Sequence, residues 1–359
     1  MTMLSKRYEK QIALPEIGLL GQQKLASAKV LVIGAGGLGC PVLQNLVAAG
    51  IGFIGIVDGD AIEETNLHRQ WLYRASDCGK NKAVVAAGIV SKQNPEVQVI
   101  PYPNDFNRTN AFAMVADYQI LVDCTDNIET RYLINDIALV KKIPMVYASV
   151  HKFQGQMSVL HYKNGPSYRC LFPEKEASLP QLDCNDSGIL GILPNTLGLL
   201  QATEVLKIIL GIGTVLNGKL LLYDGLKHHF QTINFNKNKA EIEKGMQRGL
   251  SILNHSTSTT IGISATTFLN NMLNDDQLVI DIREEYEEPK LEFACIQCVP
   301  LSQLDDFLAK TPKNQKIILM CQHGNRSETA AHYILNHGFT QVYHLEKGID
   351  ALEKLIPKI

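Results

Sequence analysis

Three clusters of residues in this chain have types and spacings that chemistry requires. The first is a glycine run, "KVLVIGAGGLGC", in which Gly34, Gly36, Gly37 and Gly39 follow a short apolar stretch and open a helix-like one. Glycines there let backbone amides approach a phosphate, and the helix N-terminus behind them adds the positive end of a dipole. Asp58, at the end of the next apolar stretch, is placed to accept hydrogen bonds from ribose hydroxyls. The second cluster is polar. "DGDAIEETNLHRQ" brings Asp60, Asn66, Arg69 and Gln70 just after Asp58, "GKNKA" adds Lys82, and "LVDCTDN" adds Asp126 and Asn127. A hydride-transfer site needs a nicotinamide pocket and a proton donor, typically a histidine beside a carboxylate. Cations near phosphates are instead what a triphosphate under attack needs, so Arg69 and Lys82 favour ATP over NAD. Asp126 suits Mg2+, which takes oxygen ligands together with substrate phosphates.

The third cluster is made of thiols. Cys321 in "KIILMCQHGNRSETAAHYIL" sits between a strand and a helix. Amides of the loop, the helix N-terminus and Arg326 would together stabilise a thiolate or an anionic persulfide there. A cysteine at such a junction also suits a phosphatase. Cys184 lies in a long polar connection, "FPEKEASLPQLDCNDSGILGILPNTLG", of the kind that closes over an active site. Its polar neighbours point to an exposed thiol. Cys40, Cys78 and Cys124 fall in or beside strand and helix cores and are expected to pack. Cys295 and Cys298 form a C-x-x-C in a strand-like stretch with no second pair, read as two half-buried thiols. His151, His161, His228 and His229 have no metal-like spacing with partners.

Strands and helices must position these groups. Apolar runs at 29–33, 52–57, 97–102, 119–123 and 144–149 read as strands, with helical spacing in "LGCPVLQNLVAAG" between the first two. Strand–helix alternation argues for a parallel, doubly wound sheet. "GQMSVLHY" and "KLLLYDG" continue it without the simple rhythm, and a helix over 195–210 stops at Gly211. Composition shifts at 234–262, where polar, charged and small hydroxylic residues suit a linker. A second α/β unit follows, with strands at 277–281 and 316–320 and a helix over 327–336.

At 359 residues two domains are the expectation. A net charge of −2 gives no footprint for nucleic acid or an anionic membrane. No apolar run reaches the roughly 18 residues a membrane span needs, and the first residues lack a signal-like apolar core. Eight cysteines scattered through such a chain read as reduced thiols, and a cytoplasmic location is expected.

"RYEKQIALPEIGLLGQQKL", "GAGGLGC", "VDGDAIEETNLHRQ", "GKNKA" and "DCTDN", in that order, resemble the E1-like adenylyltransferases of the MoeB/ThiF/HesA group. The resemblance implies ATP-dependent adenylation of the C-terminal glycine of a ubiquitin-like sulfur carrier, MoaD- or ThiS-like, by a homodimer. It places Gly37, Asp58, Asn66, Arg69, Lys82, Asp126 and Asn127 around ATP, with Asp126 on Mg2+. It also sends Lys10 to the partner's nucleotide. The family usually has arginine at the Lys10 position, and lysine lacks its planar fork. Family members often hold zinc with two C-x-x-C pairs. Here the first pair reads "SYRC" and the second is absent, so no zinc is expected.

Residues from about 260 to 355, with "LVIDIREEYE" and "GFTQVYHLEKGIDAL" flanking the Cys321 loop, resemble a rhodanese domain. That resemblance implies a persulfide on Cys321, loaded by a donor such as a cysteine desulfurase, and sulfur transfer to the activated carrier. Cys184 would act as nucleophile or as resolving thiol. The fold expected is therefore α/β: a Rossmann-like doubly wound domain at 1–240, a linker at 241–258 and a smaller rhodanese-like domain at 259–359. The carriers in view serve molybdopterin or thiamin-thiazole synthesis. Competing readings are a nicotinamide oxidoreductase, a non-catalytic carrier-binding scaffold and a rhodanese-only sulfurtransferase.

Overall fold

The computed structural model describes residues 6–173, 188–256, 262–271, 277–284, 287–289, 293, 295–353 and 355. The chain divides into two compact units, residues 1–107 with 117–251, and residues 252–359 with the short segment 108–116.

In chain order the first stretch runs α1 (Glu9–Ile12), α2 (Gly18–Ser27), β1 (Lys29–Ile33), α3 (Gly39–Ala49), β2 (Phe53–Val57) and α4 (Lys82–Gln93). It continues with β3 (Gln98–Tyr102), α5 (Ala111–Val115), β4 (Ile120–Asp123), α6 (Ile128–Lys141), β5 (Met145–His151) and β6 (Gln154–Leu160). Then come α7 (Tyr168–Leu171), α8 (Ile192–Leu210), β7 (Lys219–Asp224), β8 (His229–Asn234) and α9 (Lys239–Ser256). Eight strands form one sheet in the order β3-β2-β1-β4-β5-β6-β7-β8. The first five are parallel, and β6, β7 and β8 join antiparallel. The crossing from β3 back past β1 to β4 leaves a crevice at the carboxyl ends of β1 and β4, where such sheets take their ligands.

Sequence explains the geometry. "VLVI" in β1 is buried throughout because its strand has parallel neighbours on both sides and helices on both faces. Val30, Val32, Ile54, Ile56, Val122 and Val146 meet Leu43 and Leu46 of α3 and Leu197 and Val205 of α8 in one core. Glycines in the left-handed conformation end α3 at Gly50 and α8 at Gly211. The extension strand β8 is exposed at every residue, which is why its apolar signal is weak.

The expected linker at 241–258 is a correction: through Ser256 it is the helix α9. Its buried positions Glu241, Gly245 and Gly249 recur every four residues and make a seam. A side chain on Gly245 would meet Leu139 and Asp136, and one on Gly249 would meet the Asp136 carbonyl, so both glycines lie tight against α6. A seam built of glycine carries no hydrophobic signal, so the charged outer face read as linker.

The second stretch contains β9 (Gly262–Ile263), α10 (Ala265–Asn271), β10 (Gln277–Asp281), β11 (Ile296–Cys298) and α11 (Leu304–Leu308). It ends with β12 (Lys316–Met320), α12 (Asn325–Asn336), β13 (Val342–Leu345) and α13 (Gly348–Glu353). Its five strands are parallel in the order β11-β10-β12-β13-β9. Apolar clusters cover the sheet, one around Ile317, Leu319 and Ile334, another around Phe268, Ile318 and Leu352. Among the described residues no helix is long and apolar enough to cross a membrane.

Candidate active site

The glycine run turns sharply out of β1. Gly34 has φ +97°, and a Cβ on it would lie 2.6 Å from the Cys124 carbonyl oxygen of the neighbouring strand end. Only glycine fits there. Gly36 faces open space, with the Gln70 amide nitrogen at 3.5 Å as the nearest group to a Cβ there. Behind this turn α3 begins. The run borders a cavity of about 880 Å³ at the carboxyl edge of the sheet, and Gly34, Gly36, Gly37, Asp58, Asp60, Asn66, Arg69, Lys82, Asp126 and Asn127 all line it.

Asp58 directly follows β2 and accepts backbone N–H groups from Ala35 at 2.7 Å and Asp60 at 2.9 Å. Burial pushes its carboxyl above the usual range, while the Lys82 charge and those amides pull the other way. Lys82 opens α4, which Asn81 caps by accepting Val84 N–H, and its Nζ donates to Asp60 at 2.7 Å. Arg69 donates to the Thr65 carbonyl at 2.9 Å and is held from behind by Asn195, which donates to the Arg69 carbonyl at 3.0 Å. Of the residues lining the cavity, Asn66 and Gln70 have buried amide oxygens with no hydrogen-bond partner among the described residues. A ligand that donates hydrogen bonds would satisfy both.

The β4 edge supplies the other wall. Asp126 is exposed there, whereas the Asn127 amide oxygen accepts Thr130 N–H at 2.8 Å as the cap of α6. The sequence reading passed over Arg131 and Asp123. Asp123 is fully buried, and burial pushes its carboxyl up; its Oδ1 accepts from Thr125 N–H and Oγ1. Arg131 lies 3.8 Å from Asp123 and donates to the Thr125 carbonyl at 2.7 Å, bracing the loop that carries Asp126. Its position one helical turn after Asn127 was the available signal. Lys10 is exposed on α1 and does not line the cavity of its own chain. Cys184 lies outside the described residues.

In the second unit Cys321 directly follows β12 and is 1% exposed. Its sulfur accepts Ser327 N–H at 3.3 Å, from the first turn of α12. Ser327 Oγ sits 3.5 Å from that sulfur and donates to the Gly324 carbonyl. Gly324, at φ +91°, turns the chain into the helix. Arg326 does not add an uncompensated charge: its two terminal nitrogens, Nη1 and Nη2, bond Glu287 at 2.7 and 2.5 Å. The loop is strapped from α13, where Ile349 and Asp350 N–H groups donate to the carbonyls of Cys321 and Gln322.

The remaining thiols sort by burial. Burial pushes Cys40 up to about 12 and Cys124 well above the usual thiol range, so both pack. Cys78, expected in a core, is exposed, and Cys295 and Cys298, expected to be half-buried, are exposed beside or on the edge strand β11. At the position where the family resemblance would place zinc, Cys170 is the one thiol among the described residues. Its sulfur accepts N–H groups from Ser167 at 3.3 Å and Asn238 at 3.2 Å. These residues do not fit a four-thiolate metal site. The backbone bonds around Cys170 tie α7 to the start of α9 instead.

Fold and site together define a class of α/β protein with a glycine-loop cavity at the sheet's carboxyl edge, followed by a second α/β unit with a cysteine loop at the start of a helix. The ThiF family profile matches residues 8–244, a rhodanese-like domain profile matches residues 264–355, and the chain belongs to the ThiF family. It is 34% identical over 360 residues to the adenylyltransferase and sulfurtransferase MOCS3 of Drosophila sechellia, covering 92% of this chain and 78% of that protein. It is 44% identical over 237 residues to the sulfur carrier protein adenylyltransferase of Thermus thermophilus, covering 65% of this chain and 88% of that one. The chain spans about half the length of the mouse and Xenopus laevis MOCS3 proteins that it matches, 51% and 52%. Among solved structures, E. coli MccB with ATP shares the fold, with TM-score 0.59, 24% identity, and coverage of 66% of this chain and 73% of that one.

Proposed function

We propose that this chain adenylates the C-terminal glycine of a ubiquitin-like sulfur carrier at the expense of ATP and then converts it to a thiocarboxylate with sulfur from a Cys321 persulfide. The observation that carries this is the convergence of ten polar and glycine residues on one cavity whose open glycine face and orphaned amide oxygens suit a nucleotide. Family membership and the names of the Drosophila and Thermus relatives support the same reading.

The open backbone at Gly36, with Gly37 beside it on the cavity wall, leaves room for phosphates, and Asp58 accepts from the ribose. The carrier carboxylate attacks the α-phosphate, and pyrophosphate leaves while Arg69 and Lys82 offset its growing charge. Asp126, an exposed carboxylate at the cavity wall, fits Mg2+ shared with phosphate oxygens, and a bound ion would add charge neutralisation there. The persulfide sulfur then displaces AMP, leaving an acyl disulfide with Cys321. Cys184 thiolate attacks the Cys321 sulfur of that disulfide, releasing the thiocarboxylate and leaving a Cys184–Cys321 disulfide for a cellular thiol to reduce. Lys10 serves the partner's nucleotide in a homodimer, the adenylating domain at 1–240 and the rhodanese-like domain at 259–359 are joined through α9, and the reaction is cytoplasmic. The carrier serves molybdopterin or thiamin-thiazole synthesis.

The test is the intact mass of molybdopterin-type and thiamin-type carriers after incubation with the protein, Mg-ATP and a sulfur donor. Replacement of one oxygen by sulfur, dependent on ATP and lost in Cys321→Ala, supports the reading. No change on any carrier and no pyrophosphate would sink it.

A further inference from the structure

The loop after Cys321 carries a hydrogen-bonded pair that the reaction outlined above does not use. His323, two residues beyond the sulfur, places Nδ1 2.6 Å from Oδ2 of Asp350 on α13. The other oxygen of Asp350 accepts from Gln322 Nε2, also at 2.6 Å. One carboxylate thus fixes both side chains that follow Cys321, and its own backbone N–H holds the Gln322 carbonyl at 3.2 Å. Nδ1–H bonding to a carboxylate sets the tautomer and leaves Nε2 as the working nitrogen of the ring. His323 is half exposed, so a substrate can reach it.

The two arginines around the loop are already engaged. Arg326 on α12 is taken by Glu287, and Arg283 after β10 is gripped by Asp281 at 2.8 Å and bonds Gln322 Oε1. Lys347 is exposed, and its backbone abuts Gly324. His323 is the half-exposed ring on this loop, with a carboxylate behind it that fixes its orientation.

We propose that His323 is the proton donor in loading Cys321 from an alkyl persulfide, with Asp350 as its positioning residue. The inference rests on the reading of Cys321 as the persulfide carrier. Cys321 thiolate attacks the outer sulfur of R–S–SH, and the S–S bond breaks with its electron pair on the departing R–S⁻. The imidazolium of His323 gives that thiolate a proton. The products are Cys321–S–SH, R–SH and neutral His323, with no net oxidation or reduction. An alkyl thiolate is a poor leaving group, so its protonation is where a general acid has most to gain.

The experiment measures the rate at which the full chain gains one sulfur, by intact mass, from two donors. Glutathione persulfide expels an alkyl thiolate. Benzenethiosulfonate expels a sulfinate that departs without a proton. His323→Gln is expected to slow loading from glutathione persulfide about 100-fold and loading from benzenethiosulfonate far less. Asp350→Asn should slow the first donor about tenfold, because the ring loses the carboxylate that orients it, and slow the second far less. Asp350→Asn added to His323→Gln should change nothing further. Equal losses with both donors would mean that the variants merely disturb the loop, and the proposal would be wrong. Unchanged loading of His323→Gln from glutathione persulfide would also overturn it. If the unsubstituted chain gains no sulfur from either donor, the persulfide role of Cys321 fails as well.

Discussion

The two units each place a loop between the carboxyl end of a parallel strand and the start of a helix, yet they treat polar atoms in opposite ways. After β1, the glycine loop faces a cavity of about 880 Å³ with the Asn66 and Gln70 oxygens unpartnered among the described residues. After β12, the polar side chains of the loop are bonded within the unit: Gln322 and His323 to Asp350, Arg326 to Glu287. A pocket that must recognise a large ligand keeps bonding capacity in reserve. On the proposed reading, a loop that carries one atom on its own sulfur needs a fixed shell, and tight internal pairing provides it.

Substitutions can break this contrast, starting with the largest effect. Cys321→Ala is expected to abolish sulfur gain completely while pyrophosphate release from ATP persists; loss of both in a pyrophosphate assay would show that the units do not divide the chemistry. Arg69→Ala should lower pyrophosphate release by about 100- to 1,000-fold, the scale for removing a group that stabilises developing charge, with sulfur loading of Cys321 unaffected. Gly34→Ala forces a side chain onto the Cys124 carbonyl at positive φ and should cost about 1–3 kcal/mol, read as a lower melting temperature.

Smaller effects sharpen the contrast. Asp60 is 70% exposed although it grips Lys82, so Asp60→Asn should change nucleotide turnover by less than about fivefold. A larger loss would mean that Asp60 touches the ligand. Buried histidines give the pH arm. Burial lowers His161 in the first unit to about 3, and His344 in the second to about 4, from the usual 6.5. Below pH 6.5 the unfolded chain binds a proton that the folded ring refuses, so stability falls with pH until the folded value is reached. The slope is at most about 1.4 kcal/mol per pH unit for each ring. His161→Gln should flatten the acid loss of the first unit, followed by denaturant titration at pH 7, 6, 5 and 4; an unchanged slope would assign the sensitivity elsewhere.

What the sequence made legible follows from how local each feature is. β1 and β2, with their continuous apolar runs and the glycine turn between β1 and α3, carry a signal within a dozen residues, and the cavity residues named from those motifs line one space. Arg131 and Asp123 were missed because their work is bracing: it shows only when α6 is laid against the end of β4. The helix α9 was missed for the opposite reason, since its packing face is made of glycines that leave no pattern. At Arg326 the charge was legible but its partner was not, because Glu287 lies 39 residues away in sequence.

The orphaned oxygens of Asn66 and Gln70 have a thermodynamic corollary. A folded unit that leaves two buried acceptors unmatched is less stable than the same unit once a donor fills them. Whatever molecule supplies those donors is linked by mass action to the fold itself, adding about 2.7 kcal/mol when it is present at one hundred times its dissociation constant. The resistance of the first unit to heat and proteolysis should therefore track the concentration of its nucleotide, while that of the second unit does not.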